Sequence, residues 1–222
     1  MSEWWTYTLS DFLLFSPRTY YRLFELHNAV WWPVHFVAVV GGVAIVVLAR
    51  RGGPAAGRAV AATLAVAWAW VAWAFLWQRY ATINWAAPWL AAAFVVQAAL
   101  FGLFAMRPRG LALASGPASL VHTGLAVAAC GVLAYPLASI VLGRGIAAAE
   151  VFGMTPDPTV LATLGILVLA VPAARWALLP IPLAWCAMTG ATLWTMSSPE
   201  WWLLPAASVL SIAAASRQRH GA

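Results

Sequence analysis

There is no lysine anywhere in the 222 residues; all twelve basic residues other than histidine are arginine. A retinal or pyridoxal Schiff base, which needs a lysine amine, is thereby excluded. Charged residues make up only 8% of the chain, against roughly 25% in soluble domains. That leaves no room for a separate soluble domain, and the length suits a single one. Cysteine is scarce too: Cys130 and Cys186 sit in apolar runs, where they read as small core residues and report nothing about redox compartment. The opening MSEWWTYTLS has no basic residue, so a cleavable signal peptide is not expected. Glycine-rich phosphate loops, nucleophile–base–orienter sets and His/Cys/carboxylate groups at metal-ligand spacing are missing. His35 and His122 fall at opposite depths, a poor axial pair for haem. The expectation is a protein that is not an enzyme and carries no cofactor and no metal.

What the chain has in excess is apolar surface: 64% of residues are hydrophobic and fifteen are tryptophan. Runs near the roughly 20 residues that cross a bilayer recur along its length. They read as an all-α, polytopic transmembrane helix bundle with seven spans, near 29–49, 59–78, 84–106, 118–142, 158–173, 176–196 and 200–216. The fifth is short and AVPAARWALLP after it makes a tight turn, so six spans is the alternative. The corresponding division is 1–28 for interfacial amphipathic helices, 29–110 for a first three-helix unit, 111–145 for a linking span, and 146–222 for a second three-helix unit with a tail.

Charge orients the bundle, because cytoplasmic loops accumulate positive residues. One side receives Arg50, Arg51, Arg58, Arg107, Arg109, Arg175, Arg217 and Arg219 and no carboxylate. The other receives Arg18, Arg22, Arg79 and Arg144 with every acidic residue: Glu3, Asp11, Glu25, Glu150, Asp157 and Glu200. The expected arrangement has the N-terminus outside and the C-terminus inside, in the inner (plasma) membrane of a cell. The net charge of +6 is then a topology signal, with no nucleic acid implied. No carboxylate is expected within the bundle, so passive facilitation fits better than proton-driven pumping.

An offset of 117 positions aligns Arg58 with Arg175, Trp68 with Trp185, Trp77 with Trp194, Trp85 with Trp202 and Pro88 with Pro205. A slightly different offset brings Glu25 and Pro33 onto Glu150 and Pro158. Spans one to three would then repeat as spans five to seven in the same direction, joined by span four. The other account is convergent interfacial composition, since tryptophans gather at both membrane surfaces.

Ahead of the first span, FSPRTYYRLFELHNAVWWP starts with Ser16 as N-cap and Pro17 at the first helical position. It reads as an interfacial helix: either an aromatic anchor, or a lid over an outer vestibule with Glu25, His27 and His35 facing inward. Deeper, Trp68, Trp73, Gln97, Trp185 and Thr189 are the candidate ligand-binding residues. Aromatic walls suit a flat or cationic ligand, and a midplane glutamine must find a partner. The competing reading is plain packing, with Thr189 bonding back to its own helix.

SDFLLFSPRTYYRLFELHNAVWWP and VFGMTPDPTVLATLGILVLA resemble the signature segments of a bacterial polytopic membrane family with no established function; the resemblance implies no mechanism. The three-plus-one-plus-three layout is similar in outline to vitamin and sugar facilitators, by architecture alone. Together these give an expected function: a small-molecule facilitator or ligand-binding protein with its site between two halves. The alternative is a non-transporting membrane subunit or sensor that binds a partner through its tryptophan-rich outer face. Membrane lipids are the expected surroundings, and a homo-oligomer is compatible with either reading.

Overall fold

The computed structural model describes residues 15–113 and 117–217. Within them the chain is all-α, with no strand and a lone bridge from Leu113 to Ala170. Four helices are long and apolar enough to cross a membrane, five if one bent pair counts as a single span.

Helix α1, Pro17–Trp31, begins as the sequence suggests: the side chain of Ser16 accepts a hydrogen bond from the amide of Thr19, and Pro17 follows it. Its buried face is Tyr20, Leu23, Phe24 and His27. Helix α2, Val34–Arg51, starts only after Pro33, so the apolar run from residue 29 is split between two helices. Gly52 and Gly53, both with positive φ, turn the chain into α3, Pro54–Trp70, which continues as a wider π-helical turn over Val71–Trp77. Then come α4, Ala87–Met106, and α5, Ala118–Ala129, which runs through a second π-helical turn, Cys130–Ala134, into α6, Tyr135–Val141.

Helix α7, Pro156–Leu169, is different: all fourteen of its residues are buried. At 1.5 Å per residue it is about 21 Å long, short of the roughly 30 Å hydrocarbon core. Its neighbours fix its height. Gly131, half-way along the continuous helical stretch Ala118–Val141, lies against the backbone of Pro158 and Ala162, and Gly165 lies against that of Ala128. A Cβ at Gly165 would come within 2.3 Å of the Ala128 nitrogen. Glycine is needed there because two helix backbones touch. Helix α7 therefore runs antiparallel to α5 and starts at mid-height. The stretch before it, residues 149–155, is non-helical, and Phe152 reaches the site of Gly42, half-way along α2.

Helices α8, Pro172–Leu178, and α9, Pro180–Thr195, form the pair bent by 45°, and α10, Leu203–Arg217, completes the bundle. The sequence places seven similar spans around a central interface. The structure instead has one buried half-length helix, α7, contacted by α2, α3, α5, α8, α9 and α10.

Arg175 explains how α7 ends. Its guanidinium donates to the carbonyls of Leu167 (2.9 Å), Val168 (2.8 Å) and Ala170 (2.6 Å), and the side chain is 1% exposed. The last carbonyls of a helix lack internal partners, and a cation there also meets the negative end of the helix dipole. The residue read as a loop charge is a buried cap.

Candidate functional site

The polar residues of α7 point in two directions. On one face Thr155, Thr159 and Thr163 recur every four residues. The hydroxyl of Thr163 donates to the carbonyl of Thr159 and that of Thr159 to Thr155, each at 2.7 Å. The Trp68 indole N–H donates to Thr163 Oγ1 at 2.9 Å, and the amide of Gly153 to Thr159 Oγ1 at 2.8 Å. A threonine that bonds back to its own helix still has a lone pair to offer. The ladder thus pins both α3 and the non-helical stretch to α7.

The other direction belongs to Asp157. Its carboxylate accepts from Tyr135 Oη (3.1 Å), Trp185 Nε1 (2.7 Å) and Thr189 Oγ1 (3.2 Å to the nearer oxygen), and it is 2% exposed. It sits in the first turn of α7, where unbonded amides and the helix dipole favour an anion. A second acid, Glu150, is 7% exposed just upstream. The expectation that no carboxylate stands inside the bundle is overturned.

Of the candidate residues, Trp68 and Trp185 are brought together through Phe94. The Phe94 ring lies 4.3 Å from that of Trp68 and 5.0 Å from that of Trp185. Gln97 is fully buried and donates to the carbonyl of Leu178 at 3.1 Å. Neither of the two cavities described below is lined by any of these groups. Thr189 bonds across to Asp157 and so does more than satisfy its own helix. Trp73 stands apart from the centre, 48% exposed, edge-on to Trp31 and Trp70. Exposure follows from its place on the outward side of the π-helical turn.

The vestibule residues also divide. Glu25 pairs with Arg22, and His35 hydrogen-bonds to Asn28 Oδ1 at 2.9 Å. Asn28 in turn donates to the carbonyls of Ala147 and Ala149, both at 2.8 Å, tying α1 to the non-helical stretch. Glu25, Asn28, Trp32 and His35 line a cavity of about 460 Å³ whose far wall is Leu137, Ile140, Ile146, Ala147, Ala149 and Val151. His27 is not in it. That ring is fully buried, its edge on Phe75 at 5.3 Å. Burial first, then the charges of His35 and Arg79, push its pKa down to about 4, offset in part by the backbone at Met154 and Ala74. A second cavity of about 460 Å³, between α2 and α3, is lined by aliphatic groups, Trp70 and Phe152–Met154.

Beside α1, Glu200 pairs with Arg144 and accepts from Tyr21 Oη at 3.2 Å. The Arg144 guanidinium lies 4.2 Å over the Tyr21 ring. Glu25 and Glu200 of this end are paired with Arg22 and Arg144. The opposite end has Arg175, with Arg58 beside Gly110.

The comparison with known families fits a chain whose resemblance carried no mechanism. The chain belongs to a family of unknown function, DUF6064, matched over residues 18–221. No curated protein and no solved structure matches it. The match covers α1 to α10, so the family spans the whole described bundle.

Tyr135, Asp157 and Thr163 are the functional candidates that sequence reasoning missed. A signal existed in TPDPTVLATLG: threonines at a spacing of four and an acid in the first turn of an otherwise apolar helix. Among the described residues no group of three or more His, Cys, Asp or Glu side chains is placed to hold a metal.

Proposed function

We propose that this protein is a multi-pass protein of a bacterial inner membrane that binds, and facilitates passage of, a small flat or cationic molecule. The binding site of this reading is the cavity bordered by Glu25, Asn28, Trp32 and His35, displaced from the packed Trp68–Phe94–Trp185 centre. One observation carries it: a half-length helix starts at mid-height behind a non-helical stretch, residues 149–155, that lines both cavities. Irregular backbone at membrane depth is tolerated only where protein buries it or it lines a cavity. Half-helices that begin inside the bilayer are a recurrent way of building transporter sites. The cavity mouth offers a carboxylate and an indole 64% exposed, the chemistry that recognises a cation over an aromatic face. The split of arginines from acids supports an outside N-terminus.

The test is a fluorescence titration of the purified protein in lipid nanodiscs with benzyltrimethylammonium. Saturable quenching is expected. Trp32→Ala and Glu25→Gln should each weaken it by about twofold to thirtyfold, the range of about 0.5 to 2 kcal/mol for such contacts. Quenching indifferent to both changes would favour a subunit or sensor that uses its outward indoles. Trp77, Trp85, Trp89, Trp194 and Trp202, each more than half exposed, are the surface of that second reading.

A further inference from the structure

Buried charge around the start of α7 does not balance. Three carboxylates, Glu150, Asp157 and Glu200, lie within electrostatic reach of one another, all at most 7% exposed. The one cation facing them among the described residues is Arg144, and its guanidinium is already paired with Glu200. The remaining neighbours are neutral. Tyr20 and Tyr21 come from α1, Tyr80 from the turn after α3 and Tyr135 from α6, while Cys186 of α9 faces Asp157.

The two unneutralised acids differ in their surroundings. Asp157 has three donors and a helix N-terminus, a setting that stabilises the ionised form. Glu150 has Oε2 buried with no hydrogen-bond partner among the described residues. An ionised carboxylate in that position leaves a buried oxygen without a hydrogen-bond donor, a cost of several kcal/mol. The protonated acid carries no net charge and replaces an unmet acceptor with a hydroxyl. Like-charged carboxylates that share a site take their protons in separate steps.

We propose that Glu150 and Asp157 form a proton-binding pair at the head of the half-helix, in which Asp157 stays ionised and Glu150 carries the proton. Binding adds one proton from the aqueous side to the Glu150 carboxylate and breaks no bond. The inference does not depend on the cavity ligand. It places a titratable group inside the bundle, where the sequence leads one to expect none.

Infrared difference spectra of the full chain in lipid vesicles, recorded across pH in water and in heavy water, test it. A protonated-carboxyl band is expected at neutral pH, sensitive to deuterium and absent from Glu150→Gln. In Asp157→Asn the band should titrate at least about one pH unit lower, because the like charge is gone. If Glu150→Gln does not fold, Glu200→Gln serves instead. It frees Arg144 for Glu150, so the titration midpoint should fall. A wild-type protein with no protonated carboxyl at neutral pH overturns the proposal, as does a band that survives Glu150→Gln or a midpoint unmoved in Glu200→Gln. Loss of the band when sodium replaces choline at constant pH also overturns it, since the site would then hold a metal cation. The cavity titration with benzyltrimethylammonium is read separately, so either idea can fail alone.

Discussion

Helices α2 and α7 are the two segments that an internal repeat would equate, and both are mostly apolar. They occupy opposite places. In α2 only Gly42, Ile45 and Ala49 are buried, while Val37 and Val40 are 73% and 68% exposed. In α7 nothing is exposed. Hydropathy alone cannot separate a helix facing lipid from one facing protein, because both surroundings are apolar. Close packing and buried hydrogen bonds make the difference, and each can be removed one residue at a time.

The largest effect is expected from Gly165→Ala. Its Cβ would meet the backbone of Ala128 and the Gly124 carbonyl oxygen, at 2.3 and 2.5 Å. Neither can swing aside as a side chain would, so α5 and α7 must separate. Loss of at least about 3 kcal/mol, the upper part of the overpacking range, should appear as failure to recover folded protein or a large drop in thermal midpoint. A normal melt would mean that α7 is looser than this packing implies.

Asp157→Ala should follow closely. It strands the Tyr135 hydroxyl, the Trp185 indole N–H and the Thr189 hydroxyl, at about 1 to 3 kcal/mol for each buried group left unpaired and not regained elsewhere. Asp157→Asn keeps the shape and some of the bonds and should cost clearly less. Equal melts for the two variants would count against the carboxylate as the hub of α6, α7 and α9. Arg175→Met tests the other end of the same helix. Removing charged bonds to three carbonyls should cost roughly 1.5 to 3 kcal/mol, whereas Arg50→Met or Arg51→Met on α2 should change little.

These residues also measure how much was legible in the sequence. The Ser16–Pro17 start of α1, the glycine turn after Arg51 and the apolar helices follow from local chemistry and stand where that chemistry puts them. Arg175 was visible only as a positive charge, because nothing local distinguishes a loop arginine from one that folds back on carbonyls five to eight residues earlier. The split of arginines puts Asp157 with the other acids on the outer side, as one more loop charge. Its three donors come from residues 22 to 32 positions away, and no window along the chain brings them together. Trp68 and Trp185 were recognisable as unusual for depth, and their ring contacts through Phe94 are real. Neither ring lines the two cavities described above.

A smaller, pH-dependent effect belongs to His27, where α1 closes over the π-helical turn of α3. Its folded pKa, near 4, lies below the ordinary histidine value of 6.5. The unfolded chain therefore binds more protons between those values, and stability falls as pH drops from about 6.5 toward 4. Above 6.5 this contribution is fully present. His27→Phe should flatten that part of the stability profile, by on the order of a few kcal/mol at pH 4, without changing the melt at pH 8 by a comparable amount. A profile unchanged by the substitution would place the ring in contact with water.

The smallest effect is the most direct check on the contrast between the two helices. Gly41 lies on α2 as Gly165 lies on α7, each inside a helix, yet a Cβ at Gly41 would meet only Thr63 Cγ2, at an ordinary 3.6 Å. No backbone is near enough to be displaced. Alanine has the better helix propensity, by up to about 1 kcal/mol, and the added methyl faces the cavity between α2 and α3. Gly41→Ala should therefore melt at or slightly above the wild-type temperature, in the same lipid and at the same protein concentration. A destabilisation approaching that of Gly165→Ala would show that α2 is held by close contacts of the same kind as α7. The distinction between an exposed wall and a buried half-helix would then fail at its simplest point.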